Sequence, residues 1–276
     1  MTARSVAIGT FDGVHRGHRR VIGAAKAADL PTTVVTFDPH PRVVLGNQVE
    51  LLTTLERRLE LLGELGVETL VVPFTPELAL ATPEEFADSI LRPLGTKVVV
   101  AGANFRFGRG RSGDLDTLAN LGFDVRPVPL VEGMSSSRIR QLLRAGEIEA
   151  AAGLLGRPPE VEGTVVSGDA RGGTLGFPTA NLAVPAELVV PAHGIYAGRA
   201  GDHLAAISIG VNPHYGGDER RVEAFLLDFD GDLYGQRLVL ELWQRLRDER
   251  AFASEQELVD QIGRDVEATR AAEPPV

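Results

Sequence analysis

Two histidines three residues apart, His15 and His18, close the stretch Gly9-Thr10-Phe11-Asp12-Gly13-Val14-His15-Arg16-Gly17-His18. Its three glycines permit a tight turn and let the backbone approach a phosphate closely. The run at 5–8 reads as a strand, and a helix is predicted to begin near Arg19. A helix N-terminus offers unpaired amide donors and a dipole that favours anions. Two imidazoles on one side of that turn can donate to phosphate oxygens as charge builds on a phosphorus under attack. Either histidine alone reads more simply as a surface residue; the complete strand-loop-helix arrangement favours a phosphate site.

A second glycine-rich stretch, at 168–182, lacks the Gly-Lys-Ser/Thr ending of a Walker loop and must hold phosphate differently. Thr179 and Asn181 alternate across Ala180, so in an extended chain they face the same side. A hydroxyl and an amide oxygen are hard neutral ligands suited to Mg²⁺, which keeps water and substrate phosphate oxygens as its other ligands. Read by themselves, these residues fit a structural glycine loop with a strand-edge Thr and Asn equally well. Smaller signals behave likewise. Ser135, Ser136 and Ser137 before Arg140 supply hydroxyls at a helix start and a rigid fork for phosphate, or only an N-cap with a solvated arginine. The segment 104–108 is a turn, and Asp38 before Pro39 ends a strand.

The elements that must position these residues come in two styles. Apolar β-branched runs at 34–37, 69–72 and 97–100 alternate with helical patterns, and Leu52, Leu55, Leu59 and Leu62 fall on one helical face. That alternation predicts an α/β domain with a parallel, doubly wound sheet, whose ligands sit beyond the carboxyl ends of strands. Past Arg157-Pro158-Pro159 the pattern changes to short alternating segments at 161–166, 205–211 and 221–229, punctuated by Gly and Pro. They predict an antiparallel β-barrel or sandwich. Ser254 and Glu257 form a capping-box signature for a terminal helix with Leu258, Ile262 and Val266 on one face, and two helices over 138–155 connect the halves. The domains are placed at 1–156 and 157–276.

Composition narrows the partners. With 28 basic and 38 acidic residues, the net charge of −10 argues against nucleic acid and anionic membrane surfaces, though not against nucleotides. The chain has no cysteine, which excludes disulfides, thiolate metal sites and cysteine nucleophiles. No run approaches the roughly 18 apolar residues of a membrane span. A cytoplasmic protein, monomeric or weakly homo-oligomeric, is expected.

The first motif resembles that of the HxGH nucleotidyltransferases, and within them the bacterial riboflavin kinase/FAD synthetases. Phe37-Asp38-Pro39-His40-Pro41, Gly102-Ala103-Asn104-Phe105-Arg106-Phe107-Gly108 and Ser135-Ser136-Ser137-Arg138-Ile139-Arg140 follow in the family's order. So do Leu175-Gly176-Phe177-Pro178-Thr179-Ala180-Asn181-Leu182, Pro191 to Tyr196, Val222-Glu223-Ala224-Phe225 and Asp232-Leu233-Tyr234-Gly235. The resemblance implies an N-terminal Rossmann-like FMN adenylyltransferase domain and a C-terminal riboflavin kinase barrel, together making FMN and then FAD from riboflavin with ATP and Mg²⁺. It implies catalytic roles for His15, His18 and Glu223, the last as general base toward the ribityl hydroxyl. ATP and phosphate would meet Gly9, Phe11, Asp12, Gly13, Ser136, Arg140, Gly168, Gly176, Thr179 and Asn181. Flavin would meet Asp38, Asn104 and Phe105, and the metal Thr179 and Asn181. Ser137 replaces the usual threonine; Gly173 stands where arginine is common, and His214 where threonine is common. A kinase with a silent adenylyltransferase domain, or a flavin sensor without catalysis, are the alternatives.

Overall fold

The structure, a computed structural model, describes residues 2–167, 177–211 and 220–276. Gly168, Gly173, Gly176 and His214 lie outside the described residues. Its contacts divide the chain into two compact units, Met1–Ser136 and Ser137–Val276.

In the first unit, β1 (Arg4–Ile8), β2 (Thr32–Asp38), β3 (Glu68–Pro73), β4 (Thr96–Gly102) and β5 (Asp124–Val128) form a parallel sheet in the order β3-β2-β1-β4-β5. The helices are α1 (Arg16–Lys26), α2 (Pro41–Val44), α3 (Leu55–Gly63), α4 (Pro76–Leu80), α5 (Pro83–Phe86) and α6 (Leu115–Asn120). Strand alternation sorts the core into two layers. Ala7, Val34, Val98 and Val100 meet Val21, Ile22 and Ala25 of α1 and Leu61 and Leu62 of α3. Val6, Ile8, Val35 and Val99 meet Phe86, Ile90, Leu91 and Leu118 on the other face. This is the expected doubly wound sheet, and its order reverses between β1 and β4, the switch point at which such sheets bind ligands.

Two local expectations are corrected. Helix α1 starts at Arg16, three residues earlier than read from the sequence, because the His15 side chain itself caps it. Helix α3 starts at Leu55 behind a Thr54 cap, so Leu52 lies outside it, and the residues it buries are Arg58, Leu61 and Leu62.

The second unit holds most of α7 (Ser136–Ala145), then α8 (Ile148–Leu155) and a closed barrel in the order β10-β7-β6-β11-β8-β9. Its strands are β6 (Glu160–Val166), β7 (Ala180–Ala183), β8 (Gly194–Ala200), β9 (His203–Val211), β10 (Arg220–Leu226) and β11 (Arg237–Arg247). Ile207, Ile209, Val222, Ala224, Leu240 and Leu242 fill its interior. The terminal helix α9 (Glu255–Ala271) is capped by Ser254, whose hydroxyl accepts from the Glu257 amide. Glu257 reaches back to the Ala253 amide rather than to Ser254, so the predicted box closes one residue early. The helix buries Asp265 and Thr269 most deeply, while Leu258, Ile262 and Val266 are half-buried. The Asp265 carboxylate takes Arg247 Nη2 at 2.7 Å and Nε at 3.0 Å, which ties the helix to the end of β11.

Candidate functional site

The first constellation is built by backbone. After β1 the chain turns with Gly13 at φ +82°, where a Cβ would collide with the Leu52 side chain. Phe11 and Val14 also take left-handed φ values, 51° and 41°, a strain tolerated where surrounding contacts over-determine the loop. Those contacts are present. Phe11 and Val14 are fully buried. The Asp12 carboxylate accepts from the amides of Leu52 at 2.9 Å and Thr53 at 3.3 Å. The Gly13 amide donates to Thr53 Oγ1, and Ser136 Oγ donates to the Asp12 carbonyl at 3.1 Å.

The turn delivers two stacked imidazoles. His15 and His18 lie with ring centroids 3.6 Å apart at 17°, and the His18 ring meets Phe11 edge-on. His15 Nδ1 accepts the His18 amide at 3.3 Å, which fixes the His15 proton on Nε2. His18 Nδ1 is buried and has no hydrogen-bond partner among the described residues. A bare lone pair is cheaper to bury than an orphaned N–H, so His18 also carries its proton on Nε2. Burial first, then the charges of His15 and Arg58, hold the His18 pKa well below its ordinary value. Gly17 lets the pair close up, since a Cβ there would press on the His15 ring.

The other predicted residues of this unit end on the same strand edge or near it. Asp38 closes β2 and lies 3.6 Å from Arg58. Asn104 is exposed just after β4, beside Gly102, and half-buried Phe105 stacks on Phe107 at 5.6 Å. Arg140 is buried one turn into α7 and belongs to the second unit. Sequence reading passed over Arg58, which is 2 % exposed and donates to the carbonyls of Thr10 and Phe37. A hollow of about 400 Å³ sits at the opposite, N-terminal edge of the sheet, between Arg4, Thr33, Glu68 and Pro93. No predicted site residue lines it, and parallel sheets bind ligands at the other edge.

The second constellation is built by register. Glu223 pairs directly with Asn181 across β10 and β7. Its neighbours Val222 and Ala224 point into the barrel, so Glu223 and Asn181 share the outer face, and Thr179 precedes Asn181 by two. Phe177 meets Phe225 edge-on at 5.3 Å, which anchors the chain entering β7. Thr179 also lines a cavity of about 300 Å³ together with Ala224, Leu226, Asp230, Asp232 and Tyr234. Two residues near the glutamate were not read from sequence. Arg221 Nη2 donates to Glu223 Oε1 at 2.5 Å. The Glu249 carboxylate lies against Gly210, the cross-strand partner of Arg221; burial chiefly raises its pKa, the Glu223 charge adding to this.

A parallel sheet with imidazoles at its switch point and a barrel with a strand-borne carboxylate define two phosphate-transfer domains on one chain. The FAD synthetase family model matches residues 2–140, and the riboflavin kinase model matches residues 155–272. The bifunctional riboflavin kinase/FMN adenylyltransferase of Listeria monocytogenes is 38 % identical, over 96 % of this chain and 91 % of that one. Those of Bacillus subtilis and Escherichia coli K12 are each 37 % identical, over 95 % and 94 % of this chain and 90 % and 89 % of theirs. This chain belongs to the bifunctional riboflavin kinase/FMN adenylyltransferase family, and nothing in the comparisons favours a kinase alone. The crystal structure of a macrolide-efflux protein from Streptococcus pneumoniae is similar with a TM-score of 0.88 and 34 % identity, over 98 % of this chain and 95 % of that one. Among the described residues no helix is long and apolar enough to cross a membrane.

Proposed function

We propose that the two activities are divided between residues 1–156 and 157–276, and that the two constellations are their active sites. In the barrel, Glu223 is the general base that takes the proton from the ribityl 5′-hydroxyl of riboflavin as that oxygen attacks the γ-phosphorus of ATP, which yields FMN and ADP. A placed carboxylate contributes roughly 10²–10⁴-fold to such a step. Thr179 and Asn181 fit Mg²⁺, since both carry neutral oxygens and Asn181 stands directly opposite Glu223. When bound there, the ion would neutralise phosphate charge. Arg221 keeps the Glu223 carboxylate in one orientation until the hydroxyl replaces it as partner. Gly168 and Gly176 are assigned to phosphate binding on their motif alone.

In the α/β unit, an FMN phosphate oxygen attacks the α-phosphorus of ATP and pyrophosphate leaves. The nucleophile is already anionic, so this step needs no base. His15 and His18 donate through Nε2 to the phosphoryl oxygens, while Gly9, Phe11 and Gly13 shape the turn that admits the triphosphate. Asp12 acts through the backbone it holds. Ser136 and Arg140 are assigned to the triphosphate on their motif alone, and Asp38, Asn104 and Phe105 contact the flavin. A cytoplasmic location, a monomer or weak homo-oligomer and no nucleic-acid partner complete the proposal, on the cysteine-free composition and the charge of −10.

The register of Glu223 opposite Asn181 carries the assignment of the kinase site. A chromatographic time course from riboflavin, ATP and Mg²⁺ tests the whole: FMN should rise before FAD. FAD appearing without prior FMN, or no FAD from supplied FMN, would refute it.

A further inference from the structure

Arg58 is a guanidinium buried from α3 against the ends of β1 and β2, and no step above uses it. Its Nη1 donates to the Thr10 carbonyl at 2.9 Å, and its Nη2 donates to the Phe37 carbonyl at 3.2 Å and lies 3.6 Å from Asp38 Oδ1. Its Nε is buried without an acceptor among the described residues. Burial lowers the pKa of Arg58 itself, and the carboxylates of Asp12 and Asp38 push it back up. The fold therefore keeps a cation in a place that disfavours it, with one donor left over.

The position suggests why. Carbonyl oxygens at the C-terminal ends of parallel strands present the negative end of the peptide dipole, at the edge where an anionic substrate must arrive. Thr10 and Phe37 occupy that edge beside the glycine turn, and their oxygens are turned onto Arg58 instead. Thr36 Oγ1 also donates to the Thr10 oxygen at 2.9 Å. The same charge acts on His18, whose ring stacks on His15, while Asp12 of the turn and Asp38 of β2 act on Arg58 itself.

Resting on the adenylylation assignment above, we propose that Arg58 is a positioning residue of that site: its buried charge cancels the Thr10 and Phe37 oxygens that would otherwise repel an arriving triphosphate. The titration of His18, on which the same charge acts, reports whether that charge is present. A purely architectural arginine would support the fold without biasing His18.

The test compares Arg58→Gln, which removes the charge, with Arg58→Lys, which keeps it, in the full-length protein. FAD formation from FMN, ATP and Mg²⁺ is measured beside FMN formation from riboflavin, which monitors integrity of the chain. The His18 titration is followed by NMR of the imidazole nitrogens. Arg58→Gln should slow FAD formation at least about tenfold, the scale expected when one nearby unit charge is lost. FMN formation should be unchanged and the His18 midpoint should move upward. Arg58→Lys should recover much of the rate and keep the midpoint low. Should Arg58→Gln not fold, Arg58→Lys still decides: FAD formation retained with a low midpoint supports the charge, and FAD formation lost or a raised midpoint overturns the proposal. Wild-type FAD rates in Arg58→Gln, an unmoved His18 midpoint, or no advantage of lysine over glutamine would each overturn it. Wild-type protein that makes no FAD refutes the adenylylation assignment itself, and is told apart by failing before any substitution is made.

Discussion

The two constellations proposed to control phosphate charge are built from different materials. The α/β unit uses backbone: a turn with three left-handed residues, a capped helix start and two stacked rings, largely withdrawn from water. The barrel uses side chains standing on strands, half-exposed, aligned only because Glu223 and Asn181 are register partners. The first site is hard to alter without disturbing its fold. The second can lose a functional group and keep its frame.

Substitutions can break that contrast, and Glu223→Ala should have the largest effect. It should cut FMN formation roughly 10²–10⁴-fold while FAD formation from supplied FMN persists. His18→Ala should do the reverse and remove about 3–4 kcal/mol of transition-state stabilisation from FAD formation alone. Loss of both activities in either folded variant, measured with separate substrates, would show that the sites are not distinct. Asp265→Ala leaves Arg247 without its carboxylate and should cost the barrel unit about 2–3 kcal/mol in denaturant unfolding. FMN formation should then fail at a lower denaturant concentration than FAD formation; simultaneous failure would mean that the units unfold together.

The pH dependence sharpens the contrast from the other side. His18 is held below its ordinary value of 6.5, so below that pH the unfolded chain binds the proton more readily than the folded one. Its contribution to stability is intact above about 6.5 and declines as pH falls from there toward the lowered folded value, with a slope of at most about 1.4 kcal/mol per pH unit. His18→Asn should therefore lose less stability on acidification than wild type, and an equal loss in thermal melts would contradict the buried neutral ring. The smallest effect is expected from Ser254→Ala, about 1 kcal/mol from a lost helix cap and no change in either activity.

Much of this was legible in the sequence because it depends on local pattern. The β-branched runs became β2, β3 and β4, since alternation and burial on both faces are written into consecutive residues. The alternating segment that became β7 set Asn181 opposite Glu223, whereas Thr179 precedes the strand and has no register partner. Partners distant in the chain could not be read. Arg58 follows Glu56 and Arg57 in a stretch that looks like a solvated helix face, and its acceptors, Thr10 and Phe37, are 48 and 21 residues away. The early start of α1 was missed for a related reason. Histidine is not a usual cap, and only the geometry shows its ring nitrogen accepting an amide.

That cap has a consequence of its own. The lone pair that caps α1 is the one an incoming proton would occupy, so the imidazolium form of His15 cannot accept the His18 amide. Acid would not simply convert the pair into stronger cationic donors; it would uncap the first turn of α1. Hydrogen exchange at the His18 amide should accelerate as His15 protonates.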